Sequence, residues 1–214
     1  MFIQVQNSKE KFSTYSHLLG LLLALAGSIA LIILSKNLAS LGIVILYSFC
    51  ICCMFLASSL YHASKVTEND QTFWRKFDHI VIYYMIAGSY TAISFFYTEG
   101  VFRIVIISLQ WIFALAGTIF KIFKLEVPNW IDVLIYLVMG WMIVIRIDYI
   151  YLEAPLMVFI LVLVGGLAYT LGAILHAIGK PLPLPGKFEF HDIFHVLIIL
   201  AAGLHYLTIL FAVL

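Results

Sequence analysis

Seven stretches of this chain are long and apolar enough to cross a bilayer, and no other feature limits its fold as tightly. A helix needs about 20 apolar residues to traverse the hydrocarbon core. Candidate spans run over residues 16–35, 39–62, 78–98, 101–121, 129–147, 155–177 and 191–213. Short polar breaks divide them: Ser35-Lys36-Asn37, Ser64 to Phe77, Thr98-Glu99-Gly100, Lys124 to Asn129, Asp148 to Pro155, and Lys180 to Glu189. Pro181, Pro183 and Pro185 keep the last of these from being helical. The chain is 64% hydrophobic and 11% charged, where a soluble domain carries roughly 25% charged residues. A soluble fold of 214 residues has too much surface to hide that much apolar material. Backbone polar groups in lipid must pair internally, which selects helices. The expected fold is an all-α integral membrane protein, a single seven-helix domain over residues 1–214.

Charge sets the expected orientation. With the N-terminus cytoplasmic, Lys9, Lys11, Lys65, Arg75, Lys76, Lys121, Lys124, Lys180 and Lys187 lie inside. Only Lys36, Arg103 and Arg146 lie outside. Nine against three is a clear positive-inside bias, and an odd number of spans then puts Leu214 outside. The net charge of +1 argues against a nucleic-acid partner. Cys50, Cys52 and Cys53 sit together in one apolar run and read as small packing residues rather than a disulfide framework. The first fifteen residues are polar, so the first span is expected to serve as its own uncleaved insertion signal.

On this topology six of the seven histidines fall at the cytoplasmic ends of spans: His17, His62, His79, His176, His191 and His195. Asp78 joins the same layer. His205 lies deeper, about 15 Å below His195 along the helix rise, too far for the same ion; a cross-helix hydrogen bond is expected there. Ionisable groups within a membrane are costly and point to function. In His191-x3-His195 the two imidazoles share a helix face and can meet one ion. The competing reading is a pair of interfacial histidines bonded to loop carbonyls. Ser58-x3-His62 repeats the spacing at the same depth, with the serine deeper. His62, His191 and His195 would make a three-histidine site with a fourth position open to water, as catalytic zinc sites require. Asp78 is the candidate to hold or deprotonate that water, and Ser58 to orient it or donate to an oxyanion. Against these stand a back-bond of Ser58 to its own helix and a plain N-terminal cap for Asp78.

Other residues are assigned quieter roles. His79 turns about 100° away from Asp78, Asp192 is expected to cap the last helix, and Glu10 and His17 are candidates for contacts around the site. Gly165, Gly166 and Gly172 read as close-packing positions between helices. Trp111 and Trp141 read as packing residues.

Ser58-Ser59-Leu60-Tyr61-His62, Phe77-Asp78-His79 and Ile86-Ala87-Gly88-Ser89-Tyr90-Thr91 together resemble the hemolysin III branch of the progestin and adiponectin receptor (PAQR) family. Met139-Gly140-Trp141, the run from Gly165 to Gly172, and His191-x2-Phe194-His195 followed by His205 extend the resemblance from about Glu10 to the C-terminus. It implies a seven-helix fold with the N-terminus inside and a zinc on the cytoplasmic side of the cell membrane. Its kinship with alkaline ceramidases implies that His62, His191 and His195 bind the zinc, with Asp78 and Ser58 beside it. Ser13 stands where the family pattern usually has asparagine, Ala92 replaces a common proline and His176 a common tyrosine; these departures leave the interactions of the first helix open.

Three functions compete on this reading. One is a zinc-dependent hydrolase of a lipid amide or ester bond, its substrate entering the helix bundle from the membrane. The second is a non-enzymatic, receptor-like regulator that senses membrane lipid state. The third is a cytolysin or pore former, as the branch name suggests; seven permanent spans argue against a secreted toxin.

Overall fold

The computed structural model describes residues 10–65, 73–123, 129–178 and 190–214. The expected breaks around residues 66–72, 124–128 and 179–189 lie outside the described residues, Pro181, Pro183 and Pro185 with them. The described residues form eight α-helices: α1 (Lys11–Leu34), α2 (Leu38–Ser64), α3 (Phe73–Tyr97), α4 (Gly100–Phe123), α5 (Asn129–Trp141), α6 (Ile147–Glu153), α7 (Leu156–Ile178) and α8 (Phe190–Val213). A 3-10 segment, Met142–Arg146, joins α5 to α6. Among the described residues seven helical units are long and apolar enough to span a membrane, with α5, the 3-10 segment and α6 forming the fifth.

Local chemistry explains the turns. Asn37 caps α2 through a capping box: Ser40 N donates to Asn37 Oδ1 at 2.9 Å, and Asn37 N donates back to Ser40 Oγ. Between α3 and α4 the chain reverses within Thr98-Glu99, and Gly100 takes φ +61°, a conformation that suits glycine. Inside the spans, Ser28, Thr91, Thr98, Thr118 and Thr170 return their hydroxyls to carbonyls four residues earlier. These polar side chains are thereby satisfied without water.

Neighbouring spans pack in chain order from α1 to α4, α7 pairs with α8, and α8 closes the bundle against α1. The most buried span is α3, which touches α2, α4, α5 and α8. The outer faces carry Leu19, Leu22, Ile29 and Ile33 of α1, Ile104 and Ile119 of α4, and Leu156 of α7, all exposed. In water this continuous apolar surface would drive association; in a bilayer it is the lipid contact.

Close approaches rest on small residues. At Gly88 a Cβ would fall 2.8 Å from Cys50 Cβ, and at Gly165 a Cβ would fall 2.5 Å from the His205 ring. Cys50 is therefore a packing residue between α2 and α3. Gly165 serves as a packing site, and Gly172 approaches Phe194 and Leu197 of α8 at 3.4 Å. Gly166 differs from expectation: nothing lies within 4 Å of its Cβ position, and its carbonyl accepts the Thr170 hydroxyl instead.

The fifth span departs most from its sequence reading. It was expected as one helix over 129–147, with a polar break from Asp148 to Pro155. Helix instead resumes at Ile147 and ends at Glu153, after a 3-10 interruption. Carbonyls near the interruption are taken up by other helices. Gln110 Nε2 of α4 donates to Met139 O at 2.8 Å, and Tyr90 Oη of α3 donates to Gly140 O at 2.7 Å. Tyr90 Oη also accepts from Ile143 N at 2.9 Å. Neighbouring side chains thus replace the lost helical bonds, the condition under which a broken span is tolerated in lipid. Replacing Tyr90 with Phe strands one donor and one acceptor. The Tyr90→Phe variant is expected to lose about 1–3 kcal/mol of stability, read as a lowered unfolding midpoint in detergent.

Candidate metal centre

The spans alternate in direction, so the starts of α1, α3, α5 and α8 share one end of the bundle with the ends of α2, α4 and α7. That end gathers His17, His62, His79, His176, His191 and His195. His62 in the last turn of α2 meets the first two turns of α8. His191 Nε2 lies 3.4 Å from His62 Nε2, and His195 Nε2 lies 3.0 Å from His191 Nε2. These three are the described residues grouped closely enough to hold an ion. Nitrogens bound to a tetrahedral zinc at 2.0–2.1 Å sit about 3.3 Å apart, close to the two spacings above, and all three ligand atoms lie within 4.8 Å of one another. Three imidazole nitrogens pointed at one another in a buried space fit a shared cation better than mutual hydrogen bonds, since each neutral ring has only one N–H.

Glu10 sets the tautomer of His62. Its Oε2 accepts from His62 Nδ1 at 2.6 Å and its Oε1 accepts from Lys65 Nζ at 2.8 Å. Burial works to raise the Glu10 carboxyl, but the hydrogen bonds and charges of His62 and Lys65 outweigh it and hold its pKa at about 2. The carboxylate accepts the Nδ1–H hydrogen bond and so leaves the Nε2 lone pair directed at the other histidines. A carboxylate behind a ligating imidazole is the usual support of a metal site. The contact also answers the question raised by Ser13: that residue is buried in the first turn of α1, and α1 reaches the site three residues earlier, through Glu10 at its N-cap.

Asp78 lies in the second turn of α3, past the capping positions, so the cap reading does not hold. Ser58 of α2 lies close enough to interact with its carboxyl. Ser59, not Ser58, returns its hydroxyl to the preceding turn, donating to Phe55 O at 2.8 Å. Ser58, Asp78 and the three histidines line one cavity of about 630 Å³. Along α3 the cavity runs from Asp78 to Ile93, about 22 Å at the helical rise, and below the polar end its walls are largely apolar.

The other candidates fall outside the trio. His79 Nδ1 donates to Arg75 O at 2.8 Å. His176 packs on Phe194 with its ring 5.5 Å from His191. His17 sits behind His195 with ring centroids 3.9 Å apart. His205 reaches Val162 O across to α7 at 3.3 Å, the expected cross-helix bond. Asp192 is buried in the first turn of α8. Trp111 and Trp141 bridge helices by donating to Thr91 and Thr170.

Two polar contacts escaped the sequence reading. The Glu10–His62 pair was left open because the residues lie 52 positions apart. Lys121, counted among the cations on the cytoplasmic side at the end of the fourth span, is fully buried and paired with Asp132 of α5. Its one sequence signal was a charge at the end of an otherwise apolar span.

Fold and site together define a multi-pass helical membrane protein with a three-histidine group able to hold a metal ion. The family model described as haemolysin-III related matches residues 5–206, and the chain belongs to that family, a branch of the PAQR proteins. Similar proteins include the Hemolysin-3 homolog of Bacillus subtilis, 27% identical over 206 residues that cover 95% of this chain and 93% of the relative. Hemolysin-3 of Bacillus cereus is 29% identical over 209 residues, covering 96% and 92%. No solved structure gives a significant match.

The Glu10 contact yields a direct test. Glu10→Gln keeps the shape but weakens the acceptor behind His62, and is expected to lower metal affinity about 10- to 100-fold. Competition with a metal-binding dye on purified protein measures it.

Proposed function

We propose that this protein is a zinc-dependent hydrolase of a lipid amide or ester bond, with its metal centre on the cytoplasmic side of the cell membrane. The observation that carries the reading is the convergence of His62, His191 and His195 Nε2 atoms in the same apolar-walled cavity as Asp78 and Ser58. An all-imidazole set of three suits zinc and leaves a position for water. The nine-to-three distribution of basic residues supports a cytoplasmic N-terminus, with Leu214 outside.

When bound, zinc supplies a Lewis acid for the carbonyl and brings water to a pKa of about 7. His62, His191 and His195 hold it facing the cavity. Asp78 takes the proton from the attacking water and delivers it to the leaving nitrogen or oxygen, a general acid–base role. Ser58 orients the attacking water or donates its single hydroxyl hydrogen to the oxyanion developing on the carbonyl. The apolar walls receive the acyl chain, which the surrounding bilayer supplies. Membrane lipids are thus both solvent and source of substrate.

Purified protein incubated with mixed membrane lipids is expected to release fatty acid. Asp78→Ala should lower that release by about 100-fold or more while metal analysis still finds zinc. His62→Ala and His195→Ala should lose the zinc itself; stoichiometric zinc in both would sink the site. No product from a broad lipid panel, with zinc retained, would favour the receptor-like regulator.

The names of the two Bacillus relatives favour a second reading, lysis of a target membrane. It predicts dye leakage when the protein is added to protein-free liposomes, and intact liposomes count against it.

A further inference from the structure

Beside the histidines the cavity has a second polar wall that the hydrolytic chemistry leaves unused. Lys121 at the end of α4 and Asp132 in the first turn of α5 form a buried ion pair, their side chains 0% and 8% exposed. Only one carboxylate oxygen is engaged: Lys121 Nζ donates to Asp132 Oδ2, while the equally buried Asp132 Oδ1 has no hydrogen-bond partner among the described residues. The buried Tyr83 hydroxyl interacts electrostatically with Asp132 and with Tyr136, and Tyr83 itself stands outside the residues that line the cavity. Asp132 and Tyr136 both line the cavity. The Tyr136 ring lies 4.9 Å from that of Tyr83, and its hydroxyl donates to His79 O at 3.0 Å. Tyr136 therefore links this wall to the segment of α3 that carries Asp78.

An acceptor oxygen of a buried carboxylate is costly to leave unmade. Lys121 holds this carboxylate in place and offsets its charge, so its second oxygen is an unused acceptor on a residue that lines the polar end of an otherwise apolar cavity. We propose that Asp132 is a headgroup subsite whose Oδ1 binds a hydrogen-bond donor of the lipid, a hydroxyl or an ammonium, while the bond to be cleaved lies toward the histidines. The subsite deepens the hydrolase reading and rests on it for the position of the scissile bond. It narrows the substrate class to lipids with a donor group near the amide or ester. A site built around a donor discriminates strongly against the analogue that lacks it, because its own buried acceptor is then left unpaired.

Three amide probes of one acyl chain separate the possibilities: N-palmitoylethanolamine with a terminal hydroxyl, N-palmitoylethylenediamine with a terminal ammonium, and N-palmitoylethylamine with neither. Binding to the metal-loaded full chain in detergent is measured by titration calorimetry, independently of turnover. A donor-bearing probe is expected to bind about tenfold or more tightly than the ethylamide, and the better of the two donors identifies the headgroup chemistry. In the paired variant Lys121→Gln/Asp132→Asn, which keeps an amide hydrogen bond between α4 and α5 and strands no charge, the preference should fall to within about twofold. The apolar pair Lys121→Met/Asp132→Leu, which removes both charges together, should likewise lose the preference and stands as the test if the amide pair does not fold. Equal affinity for all three probes in the parent protein overturns the proposal, as does a preference unchanged in either paired variant that folds. A donor preference without hydrolysis of any lipid leaves the subsite standing and removes the hydrolase; hydrolysis without a preference does the reverse.

Discussion

A polar group in hydrocarbon has no water to turn to, and the placement of polar side chains in this protein follows from that. Serine and threonine hydroxyls along the spans return to their own helices. Tyr90 and Gln110 cross to the carbonyls around the interrupted fifth span. The buried groups that can carry charge collect at one end of the bundle and meet one another there: Glu10 with His62 and Lys65, and Lys121 with Asp132. Outside this layer the bundle is held by apolar packing and by close approaches such as Gly88 on Cys50.

That confinement is also what makes a metal centre possible. Neutral imidazoles are among the few metal-binding groups that a membrane interior accepts without a full charge. Three of them from two helices, α2 and α8, impose geometry on an ion only if those helices are held in register. The bundle holds them from both sides: α1 packs on α2 and α8, and α3 packs on α2 and α8 from the other face. Glu10 lies at the start of α1 and Asp78 in the second turn of α3, so the carboxylate behind His62 and the carboxylate facing the cavity come from the two helices that clamp the ligands. Support and chemistry are thus divided between opposite faces of one pair of helices.

The cavity joins that polar end to a long apolar interior. A lipid bound there keeps its chain in surroundings like those it left, so little hydrophobic free energy is gained or lost on entry. Selectivity then has to come from polar contacts at the end of the cavity. On the proposed reading the histidines with Asp78 and Ser58, and the Asp132 carboxylate, are the groups that would supply them.

Much of this was legible in the linear chain. Span lengths follow from bilayer thickness, and the alternation of directions placed six histidines in one layer. The four-residue repeats Ser58-x3-His62 and His191-x3-His195 put each pair on one helix face. What the chain order could not reveal were contacts between residues far apart in sequence: His62 meeting His191 across 129 positions, Glu10 turning toward His62, and Lys121 entering the interior to meet Asp132. The 3-10 break in the fifth span was equally hidden, because its carbonyls are satisfied by Tyr90 and Gln110 from other helices and nothing local marks it. Local periodicity determines which face of a helix a residue occupies, since it depends only on the 3.6-residue turn. Which faces then meet, and which nitrogen of His62 is left free for a metal, was decided only when the helices packed, because those outcomes depend on rotation and depth between helices that no single segment encodes.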